Sequence, residues 1–118
     1  MIIRKLIVFS VVLLIALACS KESITTYTCT NITPTYTSSI KAIIDGSCAY
    51  SGCHNASSKA DGIDLSTYAS VKSASNSNNF LGSIQHKSGY EAMPKGAAQL
   101  ADSTIQKISC WVQSGAPN

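Results

Sequence analysis

An all-α fold of short helices and long loops is the architecture this sequence predicts, and three observations carry it. Apolar residues recur at i, i+3 and i+4 in several short stretches, the spacing of one helix face. No stretch shows the alternation of apolar and polar residues that marks a half-buried strand. Segments rich in Gly, Pro, Ser and Asn lie between the apolar stretches and read as loops.

The elements follow in order. Ile40, Ile43 and Ile44 share one helix face, with Thr37 or Ser38 as cap and Gly46 as stop. Asn55 to Gly62 is a polar loop. Leu65, Tyr68 and Val71 or Lys72 predict a second short helix capped by Ser66. Ser73 to Asn79 is Ser/Asn-rich and reads as a flexible surface turn. Phe80, Leu81 and Ile84 give a third helical turn, and Lys87 to Ala98, with Gly89, Pro94 and Gly96, is loop. The last helix is the clearest: Asp102 or Ser103 caps it, Ile105, Ile108 and Val112 form its stripe with Trp111 beside Ile108, and Gly115 and Pro117 end it.

The N-terminus is of another kind. Arg4 and Lys5 precede an apolar run from Leu6 to Ala18 broken only by Ser10. That is the pattern of a secretory signal peptide, and it is short against the roughly 20 apolar residues a membrane-spanning helix needs, the permanent signal anchor being the alternative. The run ends Ala16-Leu17-Ala18-Cys19-Ser20, which resembles a bacterial lipobox, although Ala16 stands where Leu is usual. Cys19 is then expected to be lipidated and to become the mature N-terminus; ordinary cleavage leaving a free thiol is the alternative. The expected organisation is a signal peptide at 1–18, a Ser/Thr-rich tether and arm at 19–36, and a folded domain at 37–118.

Removing Arg4 and Lys5 lowers the formal charge of the 118-residue chain from +3 to +1. No basic stripe remains, so a nucleic-acid partner is not expected. Export implies an oxidising setting in which disulfides persist. Of five cysteines, Cys29, Cys48, Cys53 and Cys110 remain beside Cys19, and their spacing alone leaves all three pairings open. The mature chain has one Phe and one Trp, Phe80 and Trp111, so a domain this small is expected to need a staple: a disulfide, a metal or a cofactor.

The chemistry-bearing motif is Cys48-Ala49-Tyr50-Ser51-Gly52-Cys53-His54. Covalent haem attachment uses two thiols for the two vinyl groups and an imidazole beside the second thiol, which is why C-x-x-C-H reads as a haem site. Here the spacing is C-x4-C-H, so two further residues must bulge between the thiols, and Gly52 suits such an excursion. The motif by itself leaves two other readings: a Cys48–Cys53 disulfide, and a zinc site recruiting His86, which the need for four tetrahedral ligands disfavours.

From Ile40 to its end the sequence resembles small monohaem cytochrome c domains, especially those of Bacteroidetes-type lipoproteins. Four blocks carry the resemblance in order: the apolar helix Ile40 to Ile44; the cysteine–histidine motif; Gly62-Ile63-Asp64-Leu65-Ser66-Thr67-Tyr68, like the family's G-x-x-L-x-x-Y stretch; and Met93-Pro94 followed by Leu100-Ala101-Asp102 and the helix ending Trp111-Val112-Gln113-Ser114-Gly115-Ala116. The x4 spacing departs from the family pattern and bears on the thioether geometry more than on the fold.

The resemblance implies a cytochrome c-like fold around one haem c, with Cys48 and Cys53 as thioether donors, His54 as proximal iron ligand and Met93 as distal ligand, its loop stiffened by Pro94. His86 is the alternative distal ligand, its plainer reading being an exposed loop residue; the plainer reading of Met93 is a loop methionine filling a gap. Lys87 and Lys95 could face haem propionates or simply be solvated. Cys110 lies about 140° from Ile105 on the helical wheel, off the stripe. With Cys48 and Cys53 assigned to haem, Cys29 is its expected partner, in a bridge worth up to about 4 kcal/mol.

The expected function is therefore extracytoplasmic electron transfer to and from redox partner proteins, in the cell envelope, with the membrane reached through the N-terminal lipid. It is read as a carrier rather than an enzyme. Its rivals are a haem-free, disulfide-stapled structural or binding lipoprotein, and a haem sensor or small enzyme with an open sixth position.

Overall fold

Helix formation begins where Thr35 and Ser38 cap one another. The Thr35 hydroxyl accepts from the Ser38 amide at 3.2 Å, and the Ser38 hydroxyl accepts from the Thr35 amide at 3.1 Å. This reciprocal cap satisfies two donors that a helix start leaves without partners. The structure, a computed structural model, describes residues 20–118; the signal peptide expected at 1–18 and the lipidation site expected at Cys19 lie outside the described residues. From the cap a π-helical turn, Tyr36–Ile40, runs directly into helix α1, Lys41–Ser47. The start is earlier than Thr37 or Ser38, because the hydroxyl of Ser38 is already engaged as the second half of the Thr35 cap.

Three further α-helices follow: α2 (Tyr68–Ser75), α3 (Asn78–Ile84) and α4 (Asp102–Gln113), with a short 3₁₀ turn, Ala60–Gly62, between α1 and α2. The described residues contain no strand, so the all-α class holds. No helix among them is long and apolar enough to cross a membrane.

The caps differ in detail from those the sequence suggests. Thr67 caps α2 and is answered by Ser70. Ser66 is unavailable because its amide and hydroxyl both donate to Asp64 Oδ1, at 2.8 and 2.6 Å. Ser73 to Asn79, read as a surface turn, holds the end of α2, a brief turn, and the start of α3 at its cap Ser77. At α4 the N-cap position is Ala101, without a side-chain cap, while the Asp102 carboxylate accepts from the Tyr27 hydroxyl at 2.8 Å.

One core joins these elements. Tyr36, Ile40 and Ile44 meet Leu65, Val71 and Ile84, and α4 contributes Ile105, Ile108 and Trp111, all buried. Burying each such side chain is worth about 1.5–3 kcal/mol. The ring of Tyr36 lies 5.2 Å from that of Tyr68 and 6.3 Å from that of Trp111, in tilted arrangements. The carboxy-terminal residues close this cluster: Trp111 Nε1 and the Tyr36 amide both donate to the Pro117 carbonyl, at 2.8 and 2.9 Å, and the Tyr68 hydroxyl donates to that of Ala116.

The segment expected to be tether and arm is an arm from Lys21 onward, seated on α3, the loop after it and α4. The Glu22 amide donates to the Ser88 carbonyl at 2.9 Å. Gln85 mimics a strand partner: its Oε1 accepts from the Thr25 amide at 2.7 Å and its Nε2 donates to the Thr25 carbonyl at 3.0 Å. Gln106 Nε2 donates to the Thr28 carbonyl at 3.0 Å. Cys29 then forms a disulfide with Cys110, across 81 residues and with the Cα atoms 5.6 Å apart. Cys110 stands off the apolar stripe, yet it is buried, because the arm covers that side of α4.

Candidate functional site

The cysteine–histidine motif starts where α1 stops. Cys48 is the residue after the last helical position, and both its amide and that of Ala49 donate to the Ile44 carbonyl at 2.8 Å. Between Cys48 and Cys53 the chain then makes a short excursion. The Cys53 amide returns to the Tyr50 carbonyl at 3.0 Å. Gly52 adopts φ of +83°, in the left-handed region where a side chain is disfavoured, and its amide donates to the Ser58 hydroxyl at 2.9 Å. Finally the His54 amide donates to the Cys48 carbonyl at 3.0 Å, so the excursion closes on its own starting point. Both thiols are free and half-buried.

His54 is held on every side. It is buried, and its carbonyl accepts from the Leu65 amide at 2.7 Å. Its ring Nδ1 lies 3.2 Å from the Ile63 carbonyl. A carbonyl only accepts, so Nδ1 carries the proton and donates, leaving the Nε2 lone pair free. A backbone carbonyl behind a ligating imidazole is the usual way a protein fixes tautomer and ring direction at a metal.

One cavity of about 680 Å³ gathers these groups. That lies within the roughly 300–1,000 Å³ of small-molecule and cofactor sites. Cys48, Cys53 and His54 line it from the motif, with Ile63 and Leu65 beside them. Phe80, Ser83 and Ile84 of α3 contribute another wall, and Tyr90, Met93, Pro94 and Leu100 the loop side. Burial pushes the Cys48 thiol up to about 11, and the neighbouring Cys53 adds to the shift. That burial favours the protonated form of Cys48 in the free chain.

The remaining expected residues separate into two groups. Met93 and Lys95 line the cavity, Lys95 pairing with Glu91 at 3.1 Å. Lys87 and His86 do not line it. Lys87 pairs with Glu22 of the arm at 2.9 Å, and His86 Nε2 lies 3.0 Å from the Met93 carbonyl. Among the described residues, no three His, Cys, Asp or Glu side chains converge to hold a metal ion. A haem iron would take as few as two ligands from the protein, so that finding does not bear on it.

Sequence reasoning passed over Lys21 and Tyr90. Lys21 Nζ stands 4.6 Å from the centroid of the Tyr90 ring and donates to Asn79 Oδ1 at 2.9 Å, and all three residues line the cavity. No local signal marked them, because the arm reaches this rim only through tertiary docking. No protein-family model, curated protein or solved structure matches this chain.

Proposed function

We propose that this protein is an extracytoplasmic electron carrier with one covalently attached haem c. The observation that carries the reading is the meeting in one largely apolar cavity of two free thiols, an imidazole with Nε2 unengaged, and a methionine from a distant loop. The donor set fits the group: Cys48 and Cys53 would hold it through thioethers, and His54 and Met93 would ligate its iron. When bound, haem would supply the one-electron couple of its iron, and ligation by a methionine together with a histidine would raise its potential.

The chain's own contribution is to hold and insulate. The Ile63 carbonyl keeps the His54 ring pointed by its Nδ1–H. Phe80, Ile84, Leu65 and Leu100 supply the apolar walls that haem faces need and that so small a core lacks. A cytochrome c-like arrangement of the four helices accords with this site. The protein is a carrier serving redox partner proteins, not an enzyme in its own right.

The lipobox-like sequence supports attachment to a membrane of the cell envelope through Cys19. Lys21 belongs to the cavity rim and only Ser20 separates it from Cys19, so a lipid there would hold the mouth of the site close to the bilayer.

The test is expression with a functional haem-attachment system. The purified protein should be coloured, with a Soret band, sharp α and β bands on reduction, and haem that survives acid–acetone extraction. A colourless product whose Cys48 and Cys53 form a second disulfide would instead establish the haem-free, disulfide-stapled lipoprotein.

A further inference from the structure

We propose that His86 is a positioning residue for Met93, acting through the Met93 backbone; this rests on the haem reading of the site. Helix α3 ends at Ile84, and two residues later His86 takes φ of +50°, in the left-handed region. Few residues other than glycine sit there without surrounding structure to hold them. The result is a sharp reversal that sends the following loop back over the cavity and returns it at Met93.

Two hydrogen bonds fix where it returns. The Met93 amide donates to the Ser83 carbonyl, in the last turn of α3, at 3.0 Å. The Met93 carbonyl lies 3.0 Å from His86 Nε2 and can only accept, so Nε2 carries the proton. With Nε2 engaged by that carbonyl and with the ring outside the cavity lining, His86 is placed to orient the distal residue and not to replace it. A methionine side chain has three rotatable bonds. Its sulfur is directed into the cavity reproducibly only if its backbone is held, and Ser83 and His86 hold the amide and the carbonyl respectively.

The experiment compares His86→Leu, which keeps bulk but removes the donor, with His86→Gln, whose amide N–H can reach a similar point. Both are made in the full chain with haem attached, and each is repeated in a Met93→Ala background. The readouts are the spin state of the ferric protein and its apparent affinity for added imidazole. His86→Leu should bind imidazole at least about tenfold more tightly than wild type and show a high-spin fraction, since a tenfold change corresponds to about 1.4 kcal/mol of weakened competition from Met93. His86→Gln should recover most of the wild-type behaviour. In the Met93→Ala background, His86→Leu should change nothing further, as expected of residues acting as one unit.

Three results would overturn the inference: wild-type imidazole binding by His86→Leu, an equal effect of His86→Leu without Met93, or a fully high-spin His86→Leu protein beside an unaffected Met93→Ala protein, which would make His86 the ligand. A colourless protein overturns the haem reading instead. The contact is then judged in the haem-free chain by nitrogen NMR of His86, where a coupling across the hydrogen bond from Nε2–H to the Met93 carbonyl supports it and an Nδ1-protonated ring or a solvent-exchanging Nε2–H without that coupling refutes it.

Discussion

Tyr90 packs so closely on Gly82 that a Cβ at Gly82 would stand 2.5 Å from the ring's Cδ1. Gly82 is a buried position of α3, and Tyr90 is part of the cavity lining with Lys21 above it. The absence of a side chain at one residue therefore seats another. Gly82→Ala gains helix propensity of about 1 kcal/mol, but overpacking costs about 1–3 kcal/mol. The expected outcome is a net loss on the order of 1 kcal/mol, read as a lower urea midpoint. Gly46→Ala is the control: nothing lies within 4 Å of its Cβ, so the midpoint should hold or rise.

The contact between His54 Nδ1 and the Ile63 carbonyl leads to a second expectation. If this ring is the proximal ligand, His54→Gly should lose the low-spin spectrum of the haem-loaded protein, and added imidazole should restore it by filling the vacated space. Visible spectra with and without imidazole decide the matter. An unchanged spectrum in the variant would remove His54 from the coordination.

The Cys29–Cys110 bridge closes a loop of 81 residues and fastens the arm to α4. In the chain-entropy model a loop of that size is worth about 4.5 kcal/mol. Cys29→Ser combined with Cys110→Ser should lower unfolding stability by that order, and reductant should lower the wild type but not the double variant. Equilibrium denaturation with and without reductant measures both.

Docking of the arm should depend on pH through Glu22. The Ser88 amide, first, and Lys87, second, hold its carboxyl below the ordinary value of 4.5. A carboxyl lowered on folding adds stability that is complete above its ordinary value and lost as the pH falls through the lowered one. The arm should accordingly loosen in acid and stay seated at neutral pH. Exchange of the Thr25 amide, which is bonded to Gln85, reports this, and Glu22→Gln should weaken its protection at neutral pH.

Local features made much of this protein legible without coordinates. The helices around Ile40, Tyr68, Phe80 and Ile105 follow from apolar periodicity, which depends only on near neighbours. The short excursion of the cysteine–histidine motif was legible at Gly52. Cap positions were less accessible, because Ser66 and Asp102 spend their side chains on partners that the helical pattern does not reveal. Cys110 shows the same limit: its helical angle was readable, but its burial under the arm was not.

The sequence by itself determined an all-α chain and a candidate pair of thiols beside His54, since both rest on identity and short spacing; Met93 and His86 entered as rival candidates through the family resemblance alone. Only the tertiary structure decided that Met93 lines the same cavity as that motif, that His86 turns to the Met93 carbonyl outside it, and that the loop between the thiols closes back on Cys48. The physical reason is that these relations depend on how α3 packs and where its loop reverses. Long-range packing sets both, and no repeat along the chain records them.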